Sequence, residues 1–303
     1  MKFSCEKFVL QNAIVIASRA AASKSPIPAL EGLLISAGKD VRITGYDLKE
    51  GIYTTIEGEV ERPGEIVVGA RLFGEMIRRM PDGKITVDTD EKNNVSVKCG
   101  KSEFNFIGIS AEDYPEIPTV EGINNITLPQ KILKNMINQT IFAVSTSDVR
   151  PIYTGVLFEA AGDQLTLVAV DGYRLAKRCE KIENAQLEEC SFVVPGPSLS
   201  DIERICADED GDVEIAVGAK HISFVIGGTV VISRRLEGEF LNYRKSIPSE
   251  FRFKLGVSRA ELMSAIDRVS IIVSEKNSSP VRMPCGDGSI GMLGITPIGK
   301  AED

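Results

Sequence analysis

Apolar and polar residues alternate along this chain in two rhythms. Leu10, Ala13, Ile14 and Ala17 fall at i, i+3, i+4 and i+7, with Lys7, Gln11 and Ser18 on the opposite face, which predicts a helix with one buried side. The spacing returns at Leu133, Met136, Ile137 and Thr140, behind a Pro129 placed where a first-turn proline is tolerated. It returns again at Leu262, Ala265, Ile266 and Val269, behind Ser258-Arg259-Ala260-Glu261, which reads as a capping box. Two more helices are predicted by the stripes Leu72, Phe73, Met76, Ile77, Met80 and Leu199, Ile202, Ile205. Between the helices lie short runs of strand character, among them Ile66-Val67-Val68, Ile85-Thr86-Val87, Phe192-Val193-Val194 and Val213-Glu214-Ile215.

These elements form a repeat. A first passage opens at Phe3-Ser4-Cys5-Glu6 and reaches Thr44-Gly45-Tyr46-Asp47-Leu48. A second opens at Ile126-Thr127-Leu128-Pro129 and reaches Val170-Asp171-Gly172-Tyr173-Arg174-Leu175. The offset is about 124 residues, and a third passage runs from Phe251-Arg252-Phe253-Lys254-Leu255 to Leu293-Gly294-Ile295-Thr296. Each passage is read as a short strand leading into a helix, then a loop and alternating strands. The first two units each contain this motif twice. Turn-rich stretches at Tyr114-Pro115-Glu116-Ile117-Pro118 and Tyr243-Arg244-Lys245-Ser246-Ile247-Pro248 set the expected domains at 1–120, 125–246 and 250–303. The expected class is α+β, with antiparallel sheets outside and helices lining one concave face.

Composition narrows the function. Hydrophobic residues at 43% and charged residues at 26% describe a globular chain, and 303 residues exceed what one core usually supports. No run of eighteen apolar residues or secretory pattern is present, so a cytoplasmic protein with no membrane partner is expected. Cys5, Cys99, Cys179, Cys190, Cys206 and Cys285 have no metal or redox spacing, so no metal or cofactor is expected. The net charge of −8 speaks against a nucleic-acid coat, yet the predicted helices carry a net positive charge on an otherwise acidic body. Such a face suits a polyanion held through its phosphates without base reading.

An ordered set of motifs then carries a resemblance. Met1-Lys2-Phe3, Ser25-Pro26-Ile27-Pro28-Ala29-Leu30-Glu31-Gly32, Thr44-Gly45-Tyr46-Asp47-Leu48, Ala70-Arg71-Leu72-Phe73, Asp113-Tyr114-Pro115, Asp148-Val149-Arg150-Pro151, Asp171-Gly172-Tyr173-Arg174-Leu175-Ala176 and Ser274-Glu275-Lys276 make the chain similar to bacterial sliding clamps, the beta subunit of DNA polymerase III. The resemblance implies a non-catalytic processivity factor that encircles double-stranded DNA without sequence specificity. It implies DNA contacts at Lys24, Arg71, Arg78 and the loop containing Ser147, Pro151 and Ile152. Pro151 and Ile152 stand where aromatic residues often occur, so stacking on DNA by that loop is not expected. It further implies a groove for short linear peptides of the polymerase III catalytic subunit, the clamp loader and other partners, matching Arg150, Tyr153, Val170, Gly172, Arg174, Leu175, Leu241 and Ile247. The family's head-to-tail homodimer implies contacts at Phe104 and Phe106 on one side and Ile271 and Ile272 on the other.

The third unit stops at Lys300-Ala301-Glu302-Asp303, before its second helix and most of its strands. The expectation is that the subunit-interface edge strand falls in the missing stretch and that the chain does not close a stable ring. The alternative function is a peptide-binding scaffold that no longer retains DNA. Enzyme readings have less support: Gly286-Asp287-Gly288-Ser289-Ile290-Gly291 fits G-x-G-x-x-G with no helix expected after it, and His221, the only histidine, lies in an alternating strand pattern.

Overall fold

The computed structural model describes residues 1–122, 124–182, 187–273, 279–286 and 288–303; the Ser274-Glu275-Lys276 motif lies outside them. The chain divides into two compact units, Met1–Phe240 and Leu241–Asp303.

The first half of the first unit runs β1 (Lys2–Glu6), α1 (Lys7–Ala17), β2 (Gly32–Ala37), β3 (Val41–Tyr46), β4 (Glu50–Ile56), β5 (Glu59–Arg62), β6 (Gly64–Gly69), α2 (Ala70–Arg79), β7 (Lys84–Thr89), β8 (Asn94–Cys99) and β9 (Ser102–Ile107). Its second half runs β10 (Asn124–Pro129), α3 (Gln130–Asn138), β11 (Gly155–Gly162), β12 (Gln164–Val170), β13 (Leu175–Lys181), β14 (Leu187–Pro195), α4 (Gly196–Ile205), β15 (Asp212–Val217), β16 (His221–Ile226) and β17 (Thr229–Arg234). The topology repeats as the sequence does. The orders β1-β7-β8-β9 and β4-β3-β2-β6 of the first half return as β10-β15-β16-β17 and β13-β12-β11-β14, and β5 adds to β1.

One pairing joins the halves. Strand β17 lies antiparallel to β4, with Thr229 opposite Thr54, Val231 opposite Ile52 and Ser233 opposite Glu50, so that β10-β15-β16-β17-β4-β3-β2-β6 is one continuous eight-stranded sheet. Side chains along a strand alternate between faces, so the register fixes which of them share a side. Ile126, Ile215, Phe224, Val231 and Ile52 are successive cross-strand partners, and Thr54, two residues along from Ile52, leads on through Ile43 and Ile35 to Ile66. All of these isoleucines, with Phe224 and Val231, are buried in the two cores that also hold the apolar stripes of α1, α2, α3 and α4. The four helices therefore pack against the same face of the sheet. The other face carries a separate small cluster of Leu30, Tyr46, Val67 and Tyr114.

The helices of the first unit bury what the periodicity predicts, with one correction, whereas of the stripe Leu262, Ala265, Ile266 and Val269 only Val269 is buried and Ile266 is 37% exposed. Leu10, Ala13, Ile14 and Ala17 of α1 and Leu133, Met136 and Ile137 of α3 are buried. Full burial of a leucine or isoleucine side chain contributes about 2 kcal/mol. Leu72, assigned to the core stripe of α2, is instead 55% exposed, because this helix turns the narrower edge of Phe73, Ile77 and Met80 inward. Gly45 on β3 is required by close approach: a Cβ there would lie 2.0 Å from the Ala17 carbonyl oxygen, where the end of α1 crosses the strand.

The second unit contains α5 (Arg259–Ser270), β18 (Val281–Arg282), β19 (Cys285–Gly286), β20 (Ser289–Ile290), β21 (Leu293–Thr296) and β22 (Gly299–Glu302). One half of the capping box expected from the sequence is seen, with the Glu261 amide donating to the Ser258 hydroxyl at 3.5 Å. The strand expected at residues 251–255 does not form, and Phe251 and Phe253 are exposed. Its counterparts β1 and β10 are held by β7 and β15, and no such strand occurs among the described residues of this unit. The order β18-β21-β22 reproduces β2-β3-β4. Strand β22 thus takes the place of β4 in that order.

Candidate nucleic-acid and peptide interfaces

The basic residues expected to face a polyanion differ in what already holds them. Lys24 is exposed after the short helical turn that follows α1, and Arg71 is exposed in the first turn of α2. Arg78 is also exposed, but its Nη2 donates to both Glu75 oxygens at 2.9 and 2.8 Å, and Arg79 approaches the same carboxylate at 3.1 Å. The hydrogen bond from Arg78 and the charges of both arginines hold the Glu75 carboxyl below its ordinary range. Lys7 donates to the Met80 carbonyl at 2.6 Å and to Asp82 at 3.0 Å, where it caps α2, and Lys134 pairs with Asp208 at 3.1 Å. Glu75 and Asp82 are already subtracted in a residue count of the helical segments, whereas Asp208, paired with Lys134, lies outside those segments and lowers the face further.

Ser147 and Pro151 are exposed on the loop between α3 and β11, which serine hydroxyls organise: Ser145 Oγ accepts the Ser147 amide at 3.1 Å. Ile152 does not belong with them. It is 8% exposed, and a Cβ at Gly238 would lie only 3.7 Å from it, so burial rules out a DNA contact through its side chain.

The peptide-groove residues of the first unit gather around two turns. At the end of β12, Asp171 Oδ1 accepts the amides of Tyr173 and Arg174, both at 3.0 Å, and Gly172 supplies a φ of +94°. These backbone donors hold the Asp171 carboxyl below its ordinary range. Its Oδ2 also accepts Arg174 Nε at 2.8 Å, and the guanidinium lies 5.7 Å from the Phe142 ring centre. At the second turn, Arg150 stands 5.8 Å over the Tyr153 ring, which meets Phe240 edge-on at 5.5 Å. Leu175 is half-buried. Val170 is 3% exposed and belongs to the core rather than to a contact surface. Leu241 and Ile247, both partly exposed, belong to the second unit.

Two exposed aromatic residues escaped the sequence reading. Tyr173 projects fully into solvent and Phe142 is 57% exposed. Tyr173 sits inside a motif that was read for its neighbours, and the repeat offers a signal for Phe142, which occupies the place of Arg19 in the first half. Phe104 and Phe106 lie on β9, a sheet edge, with Phe106 tilted against Phe73 at 6.4 Å. Ile271 is exposed and Ile272 half-buried just after α5.

No catalytic arrangement stands out. Gly286 and Ser289 close the β19–β20 hairpin, and β21 follows rather than a helix. His221 is half-buried on β16, and burial and the nearby Arg234 and Lys220 charges push its pKa down. Among the described residues no three His, Cys, Asp or Glu side chains are grouped to hold a metal ion, and no helix is long and apolar enough to cross a membrane.

Comparison with known proteins agrees with this architecture. Residues 1–118 match the family "DNA polymerase III beta subunit, N-terminal domain" and residues 127–242 match "DNA polymerase III beta subunit, central domain". The beta sliding clamp of Bacillus subtilis strain 168 is 33% identical over 292 residues, covering 93% of this chain and 77% of the relative. That of Staphylococcus epidermidis is 30% identical over 313 residues, covering 100% and 83%. Among solved structures, the B. subtilis sliding clamp superposes with a TM-score of 0.95 at 32% identity, covering 100% of this chain and 83% of that one. A Pseudomonas aeruginosa clamp bound to griselimycin gives 0.91 at 27% identity, with the same coverage.

Proposed function

The chain belongs to the DNA polymerase III beta-subunit family and is a sliding clamp, a non-catalytic processivity factor rather than an enzyme; from that premise we propose how its surfaces divide the work. The observation that carries the proposal is the placement of α1, α2, α3 and α4 on one face of a single eight-stranded sheet. Duplex DNA lies against this helical face through Lys24, Arg71 and Arg78, with Ser147 and Pro151 at its margin. Phosphate contacts of this kind position a protein without reading bases, which is what movement along DNA requires.

Partner peptides, including those of the polymerase catalytic subunit and the clamp loader, bind across the turn at Asp171-Gly172. Leu175 and Tyr153 offer apolar contact there, and Arg150 and Arg174 offer donors. An extended peptide with hydrophobic anchors needs this mixture of apolar surface and a few fixed polar groups. Phe104, Phe106, Ile271 and Ile272 serve contact between copies.

Retention on DNA tests the reading. A nicked circular duplex and the same duplex linearised are loaded and washed at increasing salt. A closed clamp stays on the circle and runs off the linear form; equal loss from both refutes encirclement. Binding of a fluorescein-labelled peptide from the polymerase catalytic subunit, followed by anisotropy, tests the peptide groove and should weaken on Leu175→Asp.

A further inference from the structure

Where β16 begins and β17 ends, beside the start of β4, cations gather without acids. His221 and Arg234 are cross-strand partners. Each stands an odd number of residues from Phe224 or Val231, which point to the helices, so both lie on the outer face of the sheet. The Arg234 amide donates to the Lys49 carbonyl at 3.0 Å, which brings the turn before β4 alongside, and the Arg235 amide donates to that of Lys220 at 2.9 Å. Arg235 turns its guanidinium onto the Gly218, Ala219 and Ser191 carbonyls at 3.0, 3.4 and 3.4 Å, so its position is fixed while its charge is left uncompensated.

Among the described residues no acid pairs with Lys49, Lys220, Arg234 or Arg235. The acids beside Lys49 are turned elsewhere: Asp47 Oδ1 accepts the Lys49 and Glu50 amides at 2.8 and 2.7 Å, and Glu50 is buried on the helix side. Burial and the charges of Arg234 and Lys220 lower the His221 pKa. Like charges opposed across strands cost stability, and the fold does not require them here. The first half repeats the ladder with Asn94 opposite Ile107 and the Gly108 amide donating to the Asn93 carbonyl at 2.8 Å, and those four positions are uncharged. On a chain of net charge −8, a cluster of this sign is set up for an external anion. We propose that Lys49, Lys220, His221, Arg234 and Arg235 form a docking site for an acidic, extended segment of a partner protein.

Size favours a peptide over a nucleic acid. Three neighbouring strands span two strand spacings, about 10 Å. Carboxylates on alternate residues of an extended peptide stand about 7 Å apart, so two or three of them cover the patch. A single-stranded nucleic acid bound through its backbone takes up a track of about four nucleotides or more, longer than this patch, and the site faces away from the helices. The patch is also separate from the Asp171-Gly172 turn: Arg235 touches β14, and β11 lies between β14 and β12. The inference therefore does not depend on the peptide groove.

His221 is the only histidine, so its Cε1 proton gives one isolated NMR signal for the test. The probe is a capped peptide of alternating glutamate and glycine. Its addition at about 0.15 M salt, where exposed charges more than about 8 Å apart are screened, is expected to raise the His221 pKa by about one unit, because a bound carboxylate favours the imidazolium. Arg234→Gln, at an exposed position, should weaken the peptide about tenfold, and circular dichroism checks that this variant is folded. The labelled polymerase peptide should not displace the probe. A single-stranded oligothymidylate of equal charge is the competing ligand. An unmoved His221 signal, binding that survives Arg234→Gln, displacement of the probe by the polymerase peptide, or an oligothymidylate that binds more tightly and shifts His221 instead would each overturn the proposal.

Discussion

Replacing Glu50 by glutamine should stabilise the protein, increasingly so as the pH rises. Glu50 lies on β4 opposite Ser233, is 8% exposed, and its Oε1 has no hydrogen-bond partner. Burial, then the nearby Asp201 charge, and more weakly Asp47, push its pKa up from 4.5 to about 8, while the Ser198 hydroxyl pulls the other way. Arg19 faces the same region but is bonded to Asp201. The unfolded chain releases the Glu50 proton near its ordinary pKa and the folded chain holds it until about pH 8. Over that interval the folded state binds more protons, and stability falls as pH rises. The contribution is fully present below about pH 4.5 and gone above about pH 8, a total on the order of 3 to 5 kcal/mol from a shift of this size. Glutamine carries no such charge. Thermal melts by circular dichroism from pH 5 to 9.5 should therefore show Glu50→Gln close to the wild type at pH 5 and melting higher at pH 9, by roughly 6 to 15 °C for a unit of this size. Asp201→Asn should flatten the wild-type pH dependence as well, by removing the like charge. Parallel curves for wild type and Glu50→Gln across the range would refute the argument, because a charge-independent packing effect shifts the curve without tilting it.

Further outcomes follow from particular contacts. Gly45→Ala should lose about 3 kcal/mol or more in chemical denaturation, since its methyl group meets a backbone oxygen that cannot swing away. Glu75→Gln should release Arg78 and Arg79, strengthen binding to duplex DNA at low salt and steepen the log–log salt dependence by about one, measured by fluorescence anisotropy. Brief iodoacetamide treatment followed by mass spectrometry should label the exposed Cys179 and Cys285 and spare Cys5 and Cys206, whose thiols burial pushes to about 12 and about 11; equal labelling of all four would contradict the burial.

The amino-acid sequence determined the local elements and their repetition. The i, i+3, i+4, i+7 spacing at Leu10 to Ala17 is a property of neighbouring residues, and the recurrence of Asp47-Leu48 as Asp171 to Leu175 exposes the duplication without coordinates. Exposure of particular side chains was not legible in the same way. Leu72 and Phe73 are adjacent and equally apolar, yet only the packing direction of α2 decides that one is buried and the other open. Ile152 stands in a polar loop and is nevertheless enclosed, because Gly238 comes from far along the chain to meet it. The net charge on the helical face was countable, but which cations are held by Glu75, Asp82 and Asp208 required distances. Above all, the tertiary structure alone decided which strands end a sheet. Each strand can hydrogen-bond on two sides, and only the sheet order shows that β4 is paired on both, by β3 and by β17 from the other half.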